Sequence, residues 1–357
     1  MSEAQVKEQT YGEAIRDGTA EALRKDPRAF LIGLGVPDPK GIFGTTSGLV
    51  DEFGRDRVLD APLSENALTG LVIGAALAGM RPILTHQRLD FALLSLEQIV
   101  NQAAKWYYMF DGKGGTVPIV IRMVIGRGWG QGPQHAQSLH SWFAHIPGLR
   151  VVAPAFPADA KGMLIASVED DNPVIFLEHR WLHGIKGPVP VGYHRASLDK
   201  CRVARKGADI TIVASSHSVI EALRAADFGS SQGKVDMEVI DVRSLNPFDF
   251  DTVLESVRKT RRLLVTDDDA RHCGFAGEVI ARVVESGANL AATPVRITHP
   301  DCPSPSSAAL AGAFYPTARD LFVAAAKIVG RGMEFADQFP KRPRPVDVPD
   351  FNFPGPF

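Results

Sequence analysis

Cysteine is scarce in this chain of 357 residues: Cys201, Cys273 and Cys302 are the only three. An odd number at wide spacing suits neither a disulfide scaffold nor a zinc site, and it points to a reducing compartment, expected to be the cytoplasm. A charge excess is missing as well. Lys plus Arg number 39 and Asp plus Glu 41, a net charge of −2, so the basic surface used against nucleic acid is not expected. The longest apolar run, about Leu68 to Met80, falls short of the ~18–20 residues that a membrane span requires. The opening MSEAQVKEQTYGEA is polar and shows no signal-peptide pattern. Both standard phosphate cradles are lacking. In Gly126-Arg-Gly-Trp-Gly-Gln-Gly132 the third glycine of G-x-G-x-x-G falls on Gln131, and no Gly-Lys-Ser/Thr ending occurs. What remains is a composition of 45% hydrophobic and 22% charged residues, that of a soluble globular protein long enough for two domains.

The patterning is α/β. Helical spacing over Tyr11–Lys25 precedes the apolar run AFLIGLGV (Ala29–Val36), and helices are expected at Thr45–Phe53 and Ser64–Ala78. RPILT (Arg81–Thr85), VPIVIRMVI (Val117–Ile125) and VVAP (Val151–Pro154) read as strands, with a long helix over Phe91–Tyr108. Continuous apolar runs separated by helices indicate parallel strands buried on both faces, a doubly wound fold. The rhythm breaks at Lys186–Asp199, read as an exposed linker, and restarts with DITIVAS, MEVIDV, RLLVTDD and PVRIT, closed by a helix over Ala318–Val329. The expected division is 1–190, 200–330 and a tail, 331–357, rich in proline and carrying Phe335, Phe339, Phe351, Phe353 and Phe357. Prolines argue against regular structure there, while five phenylalanines argue against a solvated tail. An extended segment docked along a neighbouring subunit is the expectation.

Single residues say less on their own. Ser64-Glu65 before an apolar helix is explained plainly as an N-cap with a dipole-complementing carboxylate. Asp90-Phe91 opens a helix with an aromatic, usually a core residue. His135 lies on the loop after a strand's carboxyl end, where α/β proteins bind ligands. His140, His145, His179 and His183 show no metal-ligand spacing with one another or with the cysteines.

Taken together, six blocks resemble the β subunit of the heteromeric 2-oxo acid dehydrogenases, the thiamine diphosphate-dependent decarboxylating component. They are GIFGTTSGL (Gly41–Leu49); Leu63-Ser64-Glu65 with GAALAGMRP (Gly74–Pro82); DFALLSLEQIVNQAAKWYYM (Asp90–Met109); GPQHAQSLHSWFAHIPGLRVVAP (Gly132–Pro154); DAKGMLIASVEDDNPVIFLEH (Asp159–His179); and EVIDVRSLNPFD (Glu238–Asp249). The resemblance runs from about Tyr11 to Val329. It implies a pyrimidine-binding domain followed by a transketolase C-terminal-like domain. The β subunit would hold the aminopyrimidine end of thiamine diphosphate, and a separate α subunit the diphosphate and Mg2+. Glu65 falls on the cofactor-activating glutamate, whose carboxyl shares a proton with the pyrimidine ring and so favours the imino tautomer that deprotonates the thiazolium carbon. Phe91 falls on the aromatic that stacks on the ring, beside Leu63, and His135 on a histidine suited to proton transfer. The resemblance also implies a monovalent cation, K+, at Val168, Asp170 and Asn172, where oxygens suit a hard ion, although a helix-ending turn explains that stretch equally well.

The chain departs from the family at two places. Gly33-Leu34-Gly35-Val36 replaces Gly-Glu-Asp-Val, so the acidic residue is lost at Leu34. Thr85-His86-Gln87-Arg88 replaces a Glu-Phe-Met stretch, and its polar, cationic character points to an anionic or polar substrate. The expected activity is decarboxylation of a 2-oxo acid with acyl transfer to a lipoyl carrier. The alternative is a split transketolase-like or biosynthetic enzyme joining carbon units without lipoamide. The expected partners are an α subunit in an α2β2 heterotetramer, a second β subunit and a lipoyl acyltransferase.

Overall fold

The computed structural model describes residues 5–127, 130–342 and 346. Its internal contacts divide these residues into two α/β units: 5–125 with 142–198, and 126–141 with the chain from 199 onward. By contacts, the loop 126–141 after Ile125 groups with the second unit.

In the first unit, strands β1 (Val6–Thr10), β2 (Ala29–Ile32), β3 (Val58–Leu59), β4 (Arg81–His86), β5 (Val120–Ile125), β6 (Arg150–Val152), β7 (Val174–His179) and β8 (Lys186–Pro190) follow one another. Six of them run parallel in the order β6-β7-β5-β4-β2-β3. Every residue of β2, β5 and β7 is buried, as a sheet covered by helices on both faces demands. The helix Tyr11–Lys25 opens with a capping box, Thr10 Oγ1 accepting from the Glu13 amide and Glu13 from that of Thr10. It packs on the helix Pro157–Glu169, whose Lys161 ammonium is wholly buried between Asp17 (2.8 Å) and the Pro190 carbonyl (2.8 Å).

Three expectations need correction here. Lys186–Pro190, read as an exposed linker, is strand β8, pairing antiparallel with β1 from Val6–Pro190 to Thr10–Lys186. Hydrogen bonding to a distant backbone segment needs no apolar periodicity, so the strand leaves no signal in composition. The helix expected from Thr45 begins at Leu49, because Gly48 preceding it sits at φ +72°, a left-handed conformation that ends helical propagation. The long helix at Phe91 starts at Leu89 and is not uniform, with a turn at Ala104–Lys105 before a last helical segment, Trp106–Met109. It tightens at Leu93–Ser95 and widens into a π turn over Gln98–Ala103.

The second unit carries β9 (Arg202–Arg205), β10 (Ile210–Ala214), β11 (Met237–Asp241), a short β12 (Ser244–Asn246), β13 (Leu263–Ala270) and β14 (Val295–His299). Its sheet has the order β14-β13-β10-β11-β9, parallel except for β9 at the edge. The described start of the tail, 331–342, departs from the extended form expected of it. After Gly330 caps the helix Ala318–Val329, Met333–Gln338 winds into a 3-10 helix. Phe339 then lays its ring against Phe228 and Phe322 of its own unit, with centroids 4.6 and 6.0 Å apart. Intramolecular apolar burial thus accounts for Phe339. Phe351, Phe353 and Phe357 lie outside the described residues.

Candidate functional site

Parallel sheets present ligands at their carboxyl edge, where successive loops converge. Along that edge of the first unit, Leu34 follows β2, Leu63 and Glu65 follow β3, His86 ends β4, and Arg88 and Phe91 come after it. A cavity of about 210 Å³ opens there, lined by Leu34, Leu63, Glu65, His86, Gln87 and Phe91 together with Gly33, Pro62, Leu68, Leu84 and Thr85. Three of the residues singled out by resemblance, Leu63, Glu65 and Phe91, therefore share one cavity with both departures from the family pattern.

Local structure explains how they converge. Glu65 is the first residue of the helix Glu65–Leu77, next to its free amide groups; Ser64 takes the cap position without a side-chain hydrogen bond. Gly33 is required by close approach. A Cβ there would lie 2.4 Å from the Thr85 carbonyl oxygen, so only glycine lets the ends of β2 and β4 meet at the cavity wall. Gln87 Nε2 donates to the Leu34 carbonyl at 3.2 Å and ties the two departures together.

The expected cationic character of His86 is corrected. Burial holds its imidazole down at about 4, so the ring is neutral at physiological pH. Positive charge is carried instead by Arg88 and by Arg180 after β7, both buried, with guanidinium carbons 5.8 and 4.3 Å from the centre of the Phe43 ring. Burial, with the charge of Arg88 added, brings the Arg180 guanidinium down to about 9. Beneath them Arg122 and Glu178 form a wholly buried pair at 2.6 and 3.1 Å, with Thr45 Oγ1 accepting from Arg122 at 2.9 Å.

The 168–172 turn is organised by arginines. Arg81 Nη1 donates to the carbonyls of Val168 (2.9 Å) and Asp170 (3.0 Å), and Arg81 Nη2 to the Asp171 carboxylate (2.6 Å). The Asp170 carboxylate accepts from both the backbone and the side-chain amide of Asn172 and lies 3.0 Å from Arg150 Nε. Its side-chain oxygens are therefore committed, whereas each carbonyl retains a second lone pair.

His135 belongs to the second unit, half-buried, its amide donating to the Gly132 carbonyl at 3.3 Å. Gly130 and Gly132 in the same loop have positive φ, and a Cβ on either would strike Ser306, at 2.8 Å from its carbonyl and 2.4 Å from its hydroxyl. The glycines serve a tight loop-to-loop contact. Gly128 and Trp129 lie outside the described residues.

Sequence reasoning missed one cluster in this unit. His140 Nε2 donates to Asp267 at 2.9 Å and stands 3.7 Å from Asp269; Ser215 donates to Asp267 at 2.7 Å and the Ser141 amide to Asp269 at 3.2 Å. Burial opposes a charged ring, but the two aspartates outweigh it and raise His140 to about 9. The buried imidazole and the two carboxylates form an ion-pair network whose ligand atoms lie close enough together to hold a metal ion as well. The available signal was Asp267-Asp268-Asp269 at the end of a buried strand, since three such acids require donors nearby.

Residues 7–184 match the transketolase pyrimidine-binding domain and residues 199–321 the transketolase C-terminal domain. The fold and cavity thus define a transketolase-type pair of domains. Among solved structures, the chain resembles a split-gene transketolase described as an inactive beta4 tetramer, with a TM-score of 0.73 and 21% identity over 90% of this chain and 99% of the other; this is a likeness of fold. In sequence it is 40% identical over 330 residues to the β subunit of acetoin:2,6-dichlorophenolindophenol oxidoreductase of Cupriavidus necator, covering 89% of this chain and 97% of that one. It is 37% identical over 338 residues to the mitochondrial pyruvate dehydrogenase E1 component subunit beta-2 of Oryza sativa subsp. japonica, covering 93% and 89%. The chain belongs to the family of E1 β subunits of the 2-oxo acid dehydrogenases.

Proposed function

We propose that this chain is the β subunit of a thiamine diphosphate-dependent enzyme that decarboxylates a 2-oxo acid together with an α subunit and passes the acyl group to a lipoyl carrier. The observation that carries this reading is the shared cavity of Glu65 and Phe91 at the carboxyl edge of the parallel sheet. The donor set fits the aminopyrimidine end of the cofactor: an aromatic face, a carboxyl and a polar ring nitrogen line one cavity of ring size. Thiamine diphosphate, when bound, supplies the carbon nucleophile and the electron sink. Glu65 holds and returns a proton at its carboxyl, Phe91 orients the ring, Leu63 shields it from water, and His135 moves a proton at the reacting group.

The diphosphate and Mg2+ are assigned to the α subunit, in keeping with the lack of a phosphate cradle in this sequence. The assembly is read as α2β2 with paired β subunits, served by a lipoyl acyltransferase. A K+ at the 168–172 turn, held by oxygens of Val168, Asp170 and Asn172, would share the Val168 and Asp170 carbonyls with the Arg81 guanidinium. Free Cys201, Cys273 and Cys302 fit the reducing cytoplasm, and among the described residues no helix is long and apolar enough to cross a membrane.

A second reading, carbon–carbon ligation without lipoamide, is favoured by Leu34 and the polar Thr85–Arg88 stretch at the cavity. One experiment separates the two. The co-expressed α and β chains are supplied with pyruvate or acetoin, with and without a lipoylated acceptor domain, and the products are identified by mass spectrometry. Acyl-lipoyl product supports the first reading; a ketol formed only when an aldehyde is added supports the second.

A further inference from the structure

His86 ends strand β4 on the same face as Leu84, and both line the cavity shared by Glu65 and Phe91. The residue is 6% exposed, and its Nε2 is shielded from solvent with no hydrogen-bond partner. A buried polar atom left in that state forfeits its hydration, a cost that an apolar side chain on the same wall would avoid. As a neutral imidazole, His86 offers one donor and one acceptor nitrogen. Such a wall suits a flat heteroaromatic ligand. One face meets an aromatic side chain, and the edge carries ring nitrogens and an amino group that need partners.

We propose that His86 is a positioning residue for the cofactor, its Nε2 hydrogen-bonding to the polar edge of the aminopyrimidine ring that Phe91 and Glu65 also contact. This rests on the thiamine diphosphate reading above and adds to it a residue at which the chain departs from its family's pattern. The imidazole thus takes over part of the ring recognition at the end of β4. Arg88 and Arg180, gathered on Phe43, are left to other work.

The test uses the complex of both subunits, stripped of cofactor, with His86→Leu and His86→Gln variants beside the wild type. Titration calorimetry in Mg2+ measures the dissociation constants of thiamine diphosphate and of inorganic pyrophosphate. Loss of one buried hydrogen bond should weaken thiamine diphosphate about tenfold in His86→Leu, and the amide of His86→Gln should recover most of it. Pyrophosphate, which lacks the ring, should bind all three proteins alike. An unchanged affinity for thiamine diphosphate in His86→Leu overturns the proposal. So does an equal weakening of both ligands, which marks general damage, or an effect confined to the KM of the 2-oxo acid, which moves His86 to substrate recognition. If the wild-type complex binds pyrophosphate but no thiamine diphosphate more tightly, the underlying cofactor reading fails whatever the variants do, and this inference falls with it.

Discussion

Arg122 and Glu178 meet side by side from adjacent strands, β5 and β7, with Arg122 Nε 2.6 Å and Nη2 3.1 Å from the two carboxylate oxygens and neither side chain touching solvent. Burial by itself would raise the Glu178 carboxyl. The Arg122 charge and the neighbouring His183 outweigh it and bring it down to about 2. Removing one partner leaves the other charged and buried, so Arg122→Met should cost ~3–5 kcal/mol in a urea titration, while replacing both by apolar residues should recover much of that loss. The pair also sets an acid limit. Since the folded value lies below the unfolded one of about 4.5, its contribution is complete above pH 4.5 and drains away as pH falls toward 2. A Glu178→Gln protein should lack that part of the acid-unfolding profile.

The opposite sign holds at His140. Its folded value of about 9 lies above the ordinary 6.5, so its contribution is complete below pH 6.5 and is lost as pH rises through 9. The melting temperature of the wild type should therefore fall between pH 7 and pH 9.5. His140→Gln should start lower and show a flatter profile over the same range. A wild-type curve as flat as the variant's would remove the charge from this ring.

Glu65→Gln keeps the size of the side chain and loses its titrating proton. The two-subunit complex should assemble and melt as the wild type does, yet turn over more slowly by orders of magnitude. Normal turnover by a well-folded variant would take Glu65 out of the chemistry.

Phe339 contacts Phe228 and Phe322 within its own unit, so the first part of the tail acts on stability before it acts on assembly. The ring is only half-buried, and Phe339→Ala should cost ~2 kcal/mol, below the ~3–5 kcal/mol of a fully buried phenylalanine. Truncation after Gly330 should lower the melting temperature more than the single variant does. A truncated chain that melts like the full one, and only assembles less tightly by sedimentation, would return the tail to the subunit boundary.

Local pattern carried the α/β class, the helices Tyr11–Lys25 and Ala318–Val329, and the strand ending at Ile125, because periodicity and apolar runs are properties of neighbours in the chain. The blocks of resemblance around Glu65 and Phe91 also lie in one dimension, but that the two side chains line one cavity does not. Pairings between distant segments were illegible: β1 with β8, the His140 ring with Asp267, and Arg81 with the carbonyls of the 168–172 turn. No spacing rule predicts which backbone or carboxylate will arrive opposite a given side chain. Ionisation was hidden for the same reason. His86 and His140 are the same residue type, and only their surroundings, burial alone for one and two aspartates for the other, send them to about 4 and about 9. Desolvation and Coulomb energy depend on distance through space, which the order of residues does not contain.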